Sequence, residues 1–197
     1  MDEKESGELV KFFFEVGQAN LVKISGWWTA KVKDPNSVAE HSFRSALIAF
    51  VLAKLEGRRN PFEIAFAALA HDLPETRILD RHKISQAYFK TPKEVELKVI
   101  REQCSRLPKG FSEEVFEMLA GILEGEKAII NDASYLEHAF QAKEYFDIGY
   151  KDAWDFILRI EKVLRTGTAK ILLKKLKKTD SNVWWQGLKQ KITELKY

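Results

Sequence analysis

The chain has one cysteine, Cys104, in 197 residues, which excludes an intrachain disulfide and suits a reducing compartment. No apolar run reaches the roughly 18 residues expected of a membrane span. The acidic N-terminus lacks the basic-then-apolar layout of a secretory signal, and Phe12-Phe13-Phe14 is too short for either role. Gly125-Glu126 and Gly167-Thr168 are isolated, so there is no glycine-rich phosphate loop. No serine or cysteine nucleophile stands beside an evident base, and no strand, repeat or low-complexity linker is visible. What remains is a cytoplasmic, all-α, single-domain protein, long enough to bury a core without staples.

Helical periodicity dominates what is present. A first helix is expected from about Glu8 to Val22. Ser37-Val38-Ala39-Glu40 is a capping box, and the helix it opens carries Ala46, Leu47, Phe50 and Val51 before stopping at Gly57. Asn60-Pro61 starts a helix to about Asp72, apolar nearly all round and therefore expected to be central and buried. Leu73-Pro74 ends it. Thr91-Pro92 opens another, ending near Pro108, and Ser112 caps one that stops around Gly125. Further helices are expected over about Ala128 to Asp147, Lys151 to Arg165 and Thr168 to Lys178, with a short Trp184-Trp185 segment at the end. Phe and Leu residues at helical spacing are expected in the core. Net charge is +3, with 12 Lys/Arg against 5 Asp/Glu from Lys151 to Tyr197. This basic stretch reads first as a solvated helix face, with an anion, nucleic acid or acidic partner as the alternative.

The chemistry gathers at His71-Asp72. An ionised carboxylate at the end of an apolar helix must be paired, hydrogen-bonded or placed on a cation, and the adjacent imidazole can offer a nitrogen to the same cation. The other reading is a helix end whose polar groups bond locally. His41, in the first turn of a capped helix, has no packing advantage there. With His71 and Asp72 it makes a mixed nitrogen and oxygen donor set suited to a divalent transition ion with open positions.

These residues resemble the HD-domain superfamily of metal-dependent phosphohydrolases, and within it the 5′-deoxynucleotidase branch. The matching blocks are Gly26-Trp27, Asn36-Ser37-Val38-Ala39-Glu40-His41, His71-Asp72-Leu73-Pro74-Glu75, Asp80 and Leu136-Glu137-His138-Ala139-Phe140-Gln141-Ala142-Lys143-Glu144-Tyr145, in that order. The resemblance spans about Leu9 to Tyr150, leaving a basic helical extension over about 151–197. It implies a helical HD-type fold, a homodimer, and one divalent ion (Co, Mn, Ni, Zn or Fe) held by His41, His71, Asp72 and a later aspartate. In the family that aspartate lies three residues before the Leu-Glu glutamate. Here the position is Ser134 and the nearest carboxylate is Asp132, about 200° away around a helix. Asp132 is taken as the fourth ligand, with water the alternative occupant. Related proteins also carry an arginine beside the tryptophan or three before it, where this chain has Gly26 and Ile24.

The implied reaction is hydrolysis of deoxyribonucleoside 5′-monophosphates. Glu75, just outside the doublet, would orient water or relay a proton, against the plainer reading of a surface glutamate. Asp80 would hold a sugar hydroxyl or the reacting water, and Arg81, His82 and Lys83 would neutralise the phosphate. The resemblance places Trp27 against the sugar C2′ position and leaves Trp28 to packing. Glu40 is a capping residue without chemistry. The competing readings are another nucleotide phosphohydrolase of the superfamily, acting on triphosphates, cyclic nucleotides or alarmones, and a metal-binding regulatory protein without turnover. A nucleic-acid module lacks a recognisable motif.

Overall fold

The computed structural model describes residues 1–120 and 126–189. Among them the chain forms eleven α-helices and three 3₁₀ helices with no strand. The one β-type pairing is a bridge between Lys23 and Ser37.

Helix α1 (Glu3–Gly17) starts earlier than periodicity suggested, because Asp2 accepts from the Glu5 amide at 2.7 Å and Glu5 reaches back to the Asp2 amide. A 3₁₀ turn over Gln18–Asn20 replaces its expected last turn. The 3₁₀ helix Ser25–Ala30 leads into α2 (Val38–Leu55), which opens with the expected Ser37/Glu40 capping box. Gly57, at φ +69°, turns the chain after it. α3 (Pro61–Ala70) has Pro61 in its first turn, while Asn60 sits at the cap position without a side-chain cap bond. Two short helices that sequence reasoning missed follow Pro74: α4 (Glu75–Ile78) and α5 (Lys83–Tyr88). α6 (Lys93–Cys104) is preceded by Pro92 rather than capped by Thr91. Its Cys104 is buried, and burial pushes the thiol up to about 11. α7 (Ser112–Leu119) has Phe111 at its cap, and its expected end near Gly125 lies outside the described residues.

The 21-residue α8 (Lys127–Asp147) packs against both α2 and α3, and these three helices form the centre. Leu52, Ile64, Ile129 and Leu136 are fully buried there. The expected single helix over 151–165 is instead a 3₁₀ turn (Lys151–Ala153) and α9 (Trp154–Glu161); α10 (Gly167–Leu176) follows, capped by Thr166, and then α11 (Val183–Gln186). Ile157, Ile160, Leu164 and Leu173 join the same core cluster, so α9 and α10 pack into the domain's interior, while α11 buries no residue. Lysines of α10 line a groove of about 480 Å³, where Lys177 pairs with Glu161 at 2.8 Å.

The core expectation fails on the outer faces of α1, α2 and α3; on α1, Phe13 and Phe14 are 64% and 75% exposed. α3 is central on one face only: Ile64 and Ala68 are buried, whereas Phe62, Phe66 and Leu69 are 73%, 42% and 45% exposed, and on α2 Phe43 and Leu47 are 65% and 55% exposed. Both α2 and α3 are apolar on more faces than α8 covers, which leaves these side chains exposed.

Candidate metal centre

His41 is the fourth residue of α2 and fully buried. Its Nδ1 hydrogen-bonds Glu137 of α8, which turns Nε2 towards Asp72. His71 ends α3, and its Nδ1 donates to the Ala68 carbonyl at 2.7 Å, so its Nε2 is the free acceptor. Both Nε2 atoms converge on Asp72 Oδ2, at 3.4 Å from His41 and 3.1 Å from His71. Bonds of about 2.0–2.2 Å to a divalent ion put neighbouring donors about 3.0–3.5 Å apart, so the three donors fit one ion. All three lie within 4.8 Å of one another. The cluster has the spacing of a group that could hold one ion, and His71 also bonds locally at the helix end through Nδ1.

The His41 side is braced from behind. Burial opposes protonation of His41, but bonded Glu137, with Asp72 and Asp80, raises its pKa. Burial likewise opposes ionisation of Glu137, and the His41 bond with the charges of His41, His138 and Arg44 holds its pKa low. Arg44 donates to Glu137 Oε1 from Nε at 3.1 Å and Nη2 at 2.9 Å, and also to Glu144 and Gln141. Tyr145 Oη accepts from the Asn36 amide at 3.0 Å. Glu137, Gln141, Glu144 and Tyr145 thus act together to lock α8 to the start of α2. Arg44 escaped sequence reasoning, although its place one turn after His41 was a signal.

His138 was also unassigned. Its ring lies 4.4 Å from that of His41, and its Nδ1 donates to the Ser134 carbonyl at 2.9 Å. Burial, then the charge of His41, lowers its pKa.

Asp132 is not brought to this cluster. It is fully buried, and its carboxylate accepts from the Arg165 amide and from the Thr166 amide and hydroxyl. The reason is helical rotation: two residues along α8, Ser134 rather than Asp132 faces the centre, with Oγ 3.3 Å from His41 Nε2. Trp27 is corrected as well. It is fully buried against Tyr145, Phe156 and His138, whereas Trp28 is 52% exposed. A 3₁₀ helix repeats every three residues, and Ile24, Trp27 and Ala30 form its inner edge. That spacing could have been read in advance.

Beside the donors a cavity of about 350 Å³ is lined by His71, Asp72, Pro74, Glu75, Ile78, Leu79, Arg81, Gln86, Lys90, Thr91 and Glu96. Glu75 Oε2 is buried without a hydrogen-bond partner. Burial, reinforced by Asp72, Asp80 and Glu96, raises its pKa to about 10. Such crowding of carboxylates around an unpartnered oxygen is relieved by a retained proton or by a cation. Gln103, buried on α6, donates to the Leu73 carbonyl and to Thr76, and so fixes the turn that presents Glu75.

Of the expected phosphate-binding residues, Arg81 lines the cavity while donating to the Phe89 carbonyl at 2.9 Å. His82 is used differently: its Nδ1 accepts from the Ser85 amide at 3.2 Å and caps α5. Lys83 is exposed and outside the cavity. Asp80 accepts from the Ser25 amide, and the His82 amide donates to Ser25 Oγ at 2.9 Å, stitching this segment to the 3₁₀ helix that carries Trp27.

A family model described as HD domain matches residues 16–165. Human 5′-deoxynucleotidase HDDC2 is 26% identical over 146 residues, covering 73% of this chain and 71% of that protein. A crystal structure from genomics work is 35% identical, covers 91% of this chain and 99% of its own, and superposes with a TM-score of 0.75. A predicted metal-dependent phosphohydrolase from Magnetospirillum magnetotacticum MS-1 is 17% identical, covers 89% of this chain and 92% of its own, and shares the fold at a TM-score of 0.64.

Proposed function

The chain belongs to the HD-domain family of metal-dependent phosphohydrolases, and from that premise we propose that it releases phosphate from deoxyribonucleoside 5′-monophosphates. The observation that carries the reading is the convergence of His41 Nε2, His71 Nε2 and Asp72 Oδ2 at the edge of the cavity that holds Glu75 and Arg81. The substrate class is supported by relatives named as 5′-deoxynucleotidases.

His41, His71 and Asp72 would hold a divalent ion, with Co, Mn, Ni, Zn and Fe all suited to the donor set. When bound, the ion supplies Lewis-acid polarisation of a phosphoryl oxygen and acidifies water. The protein's own contribution is positioning and charge stabilisation. Arg81 and Lys90 face the cavity as the cations that receive the phosphate. Glu75 Oε2, buried and unpartnered, is the atom placed to hold and pass a proton. Asp80 orders the 25–30 segment through Ser25, and Trp27, being buried, serves the packing of that wall and not the sugar.

The test is phosphate release from matched ribo- and deoxyribonucleoside monophosphates after chelator dialysis and re-addition of single metals. Metal-dependent turnover with a deoxynucleotide preference is expected. Absence of release with every metal added back would overturn the proposed activity.

We propose further that the chain is a homodimer through the exposed side chains of Phe43, Leu47, Phe62, Phe66 and Leu69, since exposed apolar patches mark interfaces. Leu47→Glu should yield a monomer by light scattering. No helix among the described residues is long and apolar enough to cross a membrane.

A further inference from the structure

The α8 wall of the metal centre carries no free charge. Ser134 Oγ lies 3.3 Å from His41 Nε2, the nitrogen that faces Asp72, so position 134 borders the ion position. Asp132 commits both carboxylate oxygens to Arg165 and Thr166. Glu137 is bonded to His41 Nδ1 on one oxygen and to Arg44 on the other. His138 groups with His41 and Glu137, not with His71 and Asp72. Among the described residues, no carboxylate besides Asp72 closes on the same point as the two Nε2 atoms.

We propose that the ion is held by His41, His71 and Asp72 alone, and that the position beside Ser134 is left to an exchangeable oxyanion, a phosphomonoester or inorganic phosphate. Two neutral imidazoles and one carboxylate leave a divalent ion with a net charge of +1. A second carboxylate at position 134 would cancel that charge, tighten the grip on the ion and repel an anion from the adjacent position. The Ser134 hydroxyl instead offers a donor to the incoming oxygen. The chain thus gives up ion affinity for anion affinity. This inference rests on the metal-centre reading above.

Cobalt(II) binding, followed by visible absorption and chelator competition, tests it without an activity assay. Ser134→Asp is expected to bind cobalt at least about tenfold more tightly, and its cobalt form to bind inorganic phosphate about tenfold more weakly. Ser134→Asn, neutral and of similar size, should leave both within about threefold of wild type. In the cobalt-loaded wild type, phosphate should perturb the visible spectrum, a measurement that does not depend on any variant folding. A spectrum unmoved by phosphate overturns the proposal, as does a folded Ser134→Asp protein lacking either change. A wild type that takes up no cobalt, or a His71→Ala variant that binds it normally, overturns the metal centre itself and this assignment with it.

Discussion

On the α8 side of the donor cluster, His41 bonds Glu137, Glu137 bonds Arg44, and Arg44 bonds Gln141 and Glu144. On the α4–α5 side, Glu75 Oε2 is buried with no partner, and Leu79 holds φ +62° between Glu75 and Asp80. One wall satisfies every charge it buries; the other carries an unpaired acid and a backbone conformation that costs a Leu about 1–3 kcal/mol. The difference separates two roles. A ligand shell is held by partners that fix ring orientation and tautomer, whereas a reacting group must be left incompletely satisfied so that substrate, water or ion can complete it.

The comparison breaks most completely at the donors. His71→Ala or Asp72→Ala should abolish tight metal binding while circular dichroism stays close to wild type, because the surrounding helices are held by apolar packing. Elemental analysis decides it, and a full equivalent of metal in either variant removes the centre.

Next in size is the packed wall behind the site. Trp27→Ala should destabilise by about 3–5 kcal/mol in denaturant unfolding, the cost of emptying a fully buried ring. Trp28→Ala, half exposed, should stay within about 0.5 kcal/mol. Equal losses in the two variants would contradict the inside–outside assignment of the 3₁₀ helix.

On the unsatisfied wall, Glu75→Gln should keep the metal and lose at least about 100-fold in kcat, the scale of a positioned acid–base group. A loss under about tenfold with metal content unchanged makes Glu75 a bystander.

The smallest effect sharpens the braced side. Arg44→Ala should weaken metal affinity by about 10- to 100-fold without abolishing it, since Arg44 acts through Glu137 on the orientation of His41. Unchanged affinity in a chelator titration would mean that Glu137 holds His41 unaided.

That His41, His71 and Asp72 come together was legible in the sequence because local rules place them. A capping box sets the start of α2 to the residue and so orients His41, and the Leu73-Pro74 step forces α3 to stop near His71. Asp132 was misread because choosing between 132 and 134 requires the rotation of α8 about its axis. The deciding partners of Asp132, Arg165 and Thr166, lie 33 and 34 residues away. α4 and α5 were missed because helices of 4 and 6 residues are too short to show a period. The exposed apolar side chains on α2 and α3 were misread for a different reason: apolar spacing marks a face to be covered but does not say by what.

Asp132 also sets an order of events during synthesis. α8 is made before Arg165 and Thr166, and until they follow, the donors that Asp132 uses are absent. Docking α8 early would strand an ionised group in an apolar interior, at a cost of several kcal/mol. The nascent chain is therefore expected to postpone closing the histidine pocket until translation has passed Thr166, so that metal loading comes after the C-terminal helices are made. A chain ended before Arg165 should accordingly emerge as an unfolded product, not as a smaller enzyme.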